Sequence, residues 1–240
     1  MRKLMAMVNG ESKAGKTWLS MTMPGPRLVL DVEGRTEYAP TKKTVWDPRQ
    51  PPPTDPEPSE TFLVSVPTFD TVGLAYQWIA GQEHPFKGLA IDSGPELQKR
   101  LIADTTLPQL RAPSQDEWGI ILRKMEALTR ALRDTLRRPG QPLQCIMMLC
   151  GVPGEGFKRP LFQGQYGDIA PYMFDLEGYL YKTPGPDGKP QRKLRIEGVP
   201  SYISAGDGTG ILSARYGVEI SEPNMTEILS VLNEEAVASV

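Results

Sequence analysis

The run Gly10-Glu11-Ser12-Lys13-Ala14-Gly15-Lys16-Thr17 sits directly between the apolar stretch 4–8 and the helix-like Trp18-Leu19-Ser20-Met21. Its spacing is G-x-x-x-x-G-K-T. The glycines let successive backbone N–H groups curl around an anion without Cβ clashes, the lysine reaches the β- and γ-phosphates, and the hydroxyl serves Mg²⁺. The helix that follows adds the partial charge of its N-terminal end. A strand, a glycine-rich loop and a helix in this order restrict the chain to an α/β fold with the loop at a strand's carboxyl end. The expected nucleotide-binding residues are Gly10, Glu11, Ser12, Lys13, Ala14, Gly15, Lys16, Thr17 and Trp18; the competing reading is a surface turn rich in Gly and Lys.

Short apolar runs recur at residues 4–8, 28–32, 62–66, 88–91 and 145–149, the pattern of buried parallel strands. Helical stretches separate them. Val72, Ala75, Tyr76 and Ile79 fall at helical spacing within 68–80, and Ser114-Gln115-Asp116-Glu117 has the capping-box form ahead of Trp118, Ile121, Leu122, Met125, Leu128 and Leu132. The alternation predicts a mostly parallel central sheet with helices on both faces and ligands at the carboxyl ends of its strands. Residues 179–181 and 193–196 flank Pro186-Asp187-Gly188-Lys189 and predict a C-terminal β-hairpin. Ile228, Leu229 and Leu232 predict a last helix, with a tail at 234–240 expected to fray.

The 240 residues suit one sizeable domain, 1–240. Pro48, Pro51, Pro52, Pro53, Pro56 and Pro58 bar helix and central strand from 47–60, which is expected to be an exposed, extended insertion; a partner-binding polyproline segment is the other reading. No apolar run approaches the roughly 18 to 20 residues of a membrane helix, and the phosphate loop begins too early to leave room for a cleavable signal. A cytoplasmic protein without membrane partners is expected. Cys145 and Cys150 lie an odd number of residues apart in one apolar run, which points them to opposite faces of a strand as buried free thiols. The single histidine, His84, stands beside Pro85 in a turn, so neither a Cys/His zinc site nor a His-based nucleophilic triad is expected. With a net charge of -2, contact with nucleic acid has to be local; in 181–195, Lys182, Lys189, Arg192, Lys193 and Arg195 face only Asp187. A solvated hairpin explains that cluster equally well.

A phosphate loop needs a carboxylate on another strand to orient the waters of Mg²⁺. Asp92, ending Leu89-Ala90-Ile91-Asp92-Ser93, is the expected metal residue together with Thr17; a helix N-cap before Gly94-Pro95 is its structural reading. Glu33, in Leu30-Asp31-Val32-Glu33-Gly34, falls near the same rim if the strands are parallel and is the expected water-activating base beside Lys16; a turn carboxylate is the bland reading. Asp31-x-x-Gly34 matches the spacing of a GTPase switch but comes too soon after the loop, and no Asn/Thr-Lys-x-Asp guanine-reading motif follows. ATP is the expected nucleotide, with Mg²⁺ as its metal.

The order of phosphate loop, Asp31-Val32-Glu33, Ile91-Asp92-Ser93 and apolar strand 145–149 resembles that of the RecA-like recombinase ATPases, most of all the short phage-encoded ATPases of the Sak type. That resemblance implies a RecA-like P-loop NTPase fold over most of the chain. It also implies ATP hydrolysis coupled to single-stranded DNA in recombination or strand annealing, in the cytoplasm of an infected bacterium. Self-association into a ring or filament and a single-strand binding protein as partner belong to the same expectation. In that family the residue matching Glu33 activates water and the one matching Asp92 serves the metal. The segments 206–212 and 214–217 resemble the family's C-terminal part, in which a basic residue reaches a neighbouring subunit's nucleotide; Arg215 is the candidate trans finger. The DNA-binding loop would match 152–167, with Lys158 and Arg159 on phosphates and Phe157 or Phe162 stacked on bases. The chain departs from the family at Cys150-Gly151, where a polar sensor residue is usual. Arg130, Arg133, Arg137 and Arg138 read as cations at the end of a long helix. Two rivals are a nucleotide-switched interaction protein, such as a helicase loader or replication scaffold, and a small-molecule phosphotransferase, for which no Arg-rich lid is evident.

Overall fold

The computed structural model describes residues 1–39, 41–109, 111–185 and 187–238. Its sheet is built from β1 (Leu4–Gly10), β2 (Arg27–Asp31), β3 (Lys43–Val45), β4 (Thr61–Ser65), β5 (Gly88–Asp92), β6 (Cys145–Cys150) and β7 (Leu176–Pro184), joined by β8 (Pro190–Arg195), β9 (Gly206–Asp207) and β10 (Glu219–Ser221). The first seven run parallel in the order β7-β1-β6-β5-β2-β4-β3. β8 and then β10 extend the edge beyond β7 antiparallel, and β9 pairs antiparallel with the start of β7. Each apolar run of the sequence became a strand because its side chains are covered on both faces. Along β1, Leu4, Ala6 and Val8 enter one core cluster, while Met5 and Met7 enter the other.

Helices α1 (Lys16–Ser20), α2 (Phe69–Gly81), α3 (Gly94–Thr106), α4 (Gln115–Leu136), α5 (Tyr166–Ile169), α6 (Ile211–Tyr216) and α7 (Met225–Ala238) cover both faces. Leu19 of α1, Leu212 of α6 and Met225, Ile228 and Leu232 of α7 pack with Leu4 and Val8. Val72 and Ile79 of α2, Leu97 of α3 and Leu132 and Leu136 of α4 pack with Met5 and Met7. A smaller cluster joins Leu101, Ile121, Met125 and Tyr166 between α3, α4 and α5. The expected capping box is present: Glu117 N donates to Ser114 Oγ (3.4 Å) and Ser114 N donates to Glu117 Oε2 (2.7 Å).

The proline-rich stretch has no regular element, but it is not the wholly exposed excursion expected of it. Pro48 and Pro52 are buried, the Trp46 indole N–H donates to the Gln50 and Pro51 carbonyls, and the Trp78 indole N–H donates to the Pro48 carbonyl at 2.9 Å. Carbonyls around prolines lack sheet or helix partners, and the two indoles satisfy them. The hairpin forms between β7 and β8, with Gly188 at a φ of +76°; Pro186 of its turn lies outside the described residues. Helix continues to Ala238, so the described part of 234–240 is helical, and residues 239 and 240 lie outside the described residues. Cys145 and Cys150 are buried in opposite core clusters, as their spacing requires. His84 is buried, its Nε2 within 2.8 Å of Gln141 Oε1 and its Nδ1 accepting from Phe86 N. Among the described residues no helix is long and apolar enough to cross a membrane.

Candidate functional site

β1 ends at Gly10 against β7, where a Cβ would stand 2.5 Å from the Leu180 carbonyl oxygen. The loop then reverses through Lys13 and Gly15, at φ values of +63° and +107°, before α1 begins. Lys16 folds back across it, with Nζ donating to the carbonyls of Gly10 (2.8 Å) and Glu11 (2.9 Å). Burial lowers the Lys16 ammonium from its usual range, while Asp92, Cys150, Glu33 and Glu11 pull it upward. Thr17 Oγ1 donates to Asp92 Oδ2 at 2.6 Å. The loop is thus joined to β5 across the intervening β6, a span of about 10 Å at ordinary strand spacing.

Asp92 is buried, and that burial pushes its carboxyl up to about 6; the Thr17 hydroxyl opposes the shift and the charges of Glu33 and Asp31 add to it. Asp31 pairs in register with Asp92, yet its oxygens are taken by a turn, accepting from the backbone N–H of Gly34 (2.9 Å), Arg35 (3.3 Å) and Thr36 (3.2 Å). That turn carries Glu33, whose own N–H donates to the Asp92 carbonyl at 3.3 Å. Glu33 Oε1 accepts from Ser93 Oγ at 2.6 Å, and Arg35 stands 3.8 Å from Oε2. The structure therefore brings Lys16, Thr17, Asp92 and Glu33 to one rim. Ser93 and Asp31, which sequence reasoning left without a role, hold the glutamate there. A hydroxyl immediately after the expected metal carboxylate, Asp92, is the available signal for Ser93. Behind the loop, Asn9 Nδ2 donates to the buried Glu177 (2.7 Å), which also accepts from Ser204 Oγ (2.9 Å).

Other expected residues fall in different settings. Trp18 lies beneath the guanidinium of Arg192, a residue of β8 that sequence reasoning placed only within a basic segment. Phe157 is exposed, and Arg159 is half exposed and paired with Asp168 at 2.9 Å. Lys158 departs from the role expected of it. It is buried, with Nζ donating to the carbonyls of Pro153 (3.0 Å) and Gly154 (2.6 Å) and standing 3.4 Å from Glu11 Oε1, so its ammonium is satisfied inside the protein. Phe162 is likewise packed, edge-on to Tyr166 at 4.8 Å between ring centroids. Arg215 lies in the last turn of α6 with an exposed side chain and makes no ion pair among the described residues. Arg130 and Arg133 pair with Glu126 and Asp134, Arg137 with Asp175, and Arg138 donates to the Ala80 carbonyl. In the hairpin, Lys193 pairs with Glu219 and Lys189 with Asp187.

No protein-family model matches this chain, and no curated protein matches its sequence. Fold and site geometry define an α/β protein with a mostly parallel sheet. At the carboxyl edge of that sheet a glycine-rich loop, a lysine, a threonine–aspartate pair and a second carboxylate converge.

Proposed function

We propose that this chain is a Mg²⁺-dependent ATP hydrolase of the RecA-like type that acts on single-stranded DNA in phage-type recombination or strand annealing. The observation that carries the proposal is the 2.6 Å contact between Thr17 and Asp92 beside a lysine that, among the described residues, hydrogen-bonds to loop carbonyls alone. A hydroxyl next to a carboxylate is the donor set that Mg²⁺ takes when phosphate and water complete its shell. Among the described residues no group of three or more His, Cys, Asp or Glu could hold a metal, so Thr17 and Asp92 would hold it with the nucleotide's help. Bound Mg²⁺ supplies charge neutralisation at the β- and γ-phosphates. Lys16 exchanges its two carbonyl partners for phosphate oxygens. Glu33, oriented by Ser93, accepts a hydrogen bond from the attacking water.

The DNA half of the proposal rests on the resemblance and on segment 152–167. There Phe157 is exposed, and the Lys158–Glu11 contact ties the segment to the phosphate loop. The buried, apolar setting of Cys150, at the end of β6 where a polar sensor would couple the two sites, favours the second reading, a nucleotide-switched interaction protein.

ATP binding and turnover in wild type, Lys16→Ala and Glu33→Gln test the hydrolase. Lys16→Ala is expected to weaken ATP binding at least tenfold, as loss of a charge-assisted contact does (about 1.5–3 kcal/mol). Glu33→Gln should bind ATP as wild type does and turn it over about 10²-fold more slowly or worse. Unchanged ATP affinity in Lys16→Ala would remove the nucleotide assignment, and wild-type turnover in Glu33→Gln would move the water-activating role elsewhere. Phosphate released to water, with no transfer to a small acceptor, separates the hydrolase from a phosphotransferase.

A further inference from the structure

The sheet order gives the site two ends. Asp92 and Glu33 lie on the β5 and β2 side of β1, whereas β7 and β8 lie on the other. A triphosphate whose metal sits at Thr17 and Asp92 has its γ-phosphate toward Glu33, so its α-phosphate and nucleoside point toward the β7–β8 hairpin. Arg192 of β8 stands at that end. Its Cζ lies 4.4 Å from the Trp18 ring centroid, and a Cβ on Gly15 would meet its Nε at 2.7 Å. Glu222 fixes it from behind, accepting from the Arg192 backbone N–H at 2.8 Å and standing 3.8 Å from Nη1. Its Nε is buried and, among the described residues, has no hydrogen-bond partner. The side chain as a whole is 29 % exposed, open enough to be met by a ligand. A buried N–H on a charged group costs free energy until an acceptor arrives, and a planar guanidinium is matched in shape to phosphate oxygens.

We infer that Arg192, stacked on Trp18 beside Gly15, donates to the α-phosphate of the nucleotide bound by its own chain. This inference rests on the nucleotide-binding reading above. It makes the hairpin a wall of the site and gives Trp18 a role as the platform that orients the guanidinium.

The test is calorimetric titration of wild type, Arg192→Ala, Arg192→Lys and Lys16→Ala with ATP and with ADP in the presence of Mg²⁺, each variant checked for thermal unfolding. Because both nucleotides carry the α-phosphate, Arg192→Ala is expected to weaken ATP and ADP by the same factor, about tenfold or more. Arg192→Lys, which keeps the charge and loses the planar fork, should fall between. Wild-type affinity of Arg192→Ala for both nucleotides overturns the inference while leaving nucleotide binding intact, and a loss confined to ATP overturns the α-phosphate assignment. Should Arg192→Ala not fold, unchanged affinity in Arg192→Lys is the overturning result. Wild type that binds neither nucleotide removes the underlying reading together with this one.

Discussion

Asp92 carries opposing demands. To serve a metal, as proposed, it has to stay ionised, yet burial above all, with the charges of Glu33 and Asp31 adding to it, pushes its carboxyl up to about 6. Because the folded value lies above the ordinary one near 4, the native state holds this proton more tightly than the unfolded chain. The stabilising contribution is therefore full below about pH 4, is lost as the pH rises to about 6, and leaves a constant penalty above that. Asp92→Asn keeps an acceptor for Thr17 and removes the charge. It is expected to be more stable than wild type at pH 8, on the order of 2 kcal/mol, with the difference vanishing near pH 4. Denaturant unfolding at the two pH values checks this, and a wild type more stable than Asp92→Asn at pH 8 would contradict it. On the proposed reading the same substitution removes a charged Mg²⁺ ligand, so stability and metal use should move in opposite directions.

Among the elements, those with strong local signals formed where expected. Ser114 and Glu117 close the N-terminus of α4 by satisfying each other's backbone N–H groups, a device complete within four residues. The proline-rich stretch obeys a different rule: its internal hydrogen bonds only close short turns, such as Gln50 N to the Asp47 carbonyl (2.9 Å) and Glu60 N to the Glu57 carbonyl (3.0 Å), and groups outside it anchor it, notably the Trp78 indole of α2 on the Pro48 carbonyl. Trp78→Phe keeps most of the apolar contact and removes that donor. It should cost about 1 kcal/mol of stability and speed proteolytic cleavage within 47–60. Cleavage at the wild-type rate with unchanged stability would show that the indole N–H does not anchor the segment.

Over the whole molecule, the crossover that inserts β6 between β1 and β5 sets the distance between the loop Gly10 to Thr17 and Asp92. The antiparallel extension through β8 and β10 walls the opposite end of the site. A net charge of -2 leaves no global attraction for a polyanion, so any strand has to be held by few local contacts. On the proposed reading, ATP turnover should rise with single-stranded DNA, and the affinity for the strand obtained from that stimulation should fall with salt only shallowly, on the order of -0.7 in log–log slope per phosphate contact. A turnover series with and without single-stranded DNA across salt concentrations measures it. No stimulation, combined with nucleotide-dependent binding of a protein, supports the switch reading instead.

By itself the sequence determined the loop Gly10 to Thr17, the five apolar strands, the capped helix and the candidacy of Glu33 and Asp92. Each rests on a short-range demand: glycine where backbone must reverse, an apolar run where a strand is covered twice, a carboxylate at a strand's end. Only the tertiary structure decided that Thr17 meets Asp92, that Ser93 and Asp31 position Glu33, that Lys158 turns inward to Glu11, and that Arg192 closes over Trp18. Apart from the local turn that Asp31 closes, those pairings join residues far apart in the chain. They follow from strand order and from which buried polar groups find partners, and no local pattern of side chains encodes either.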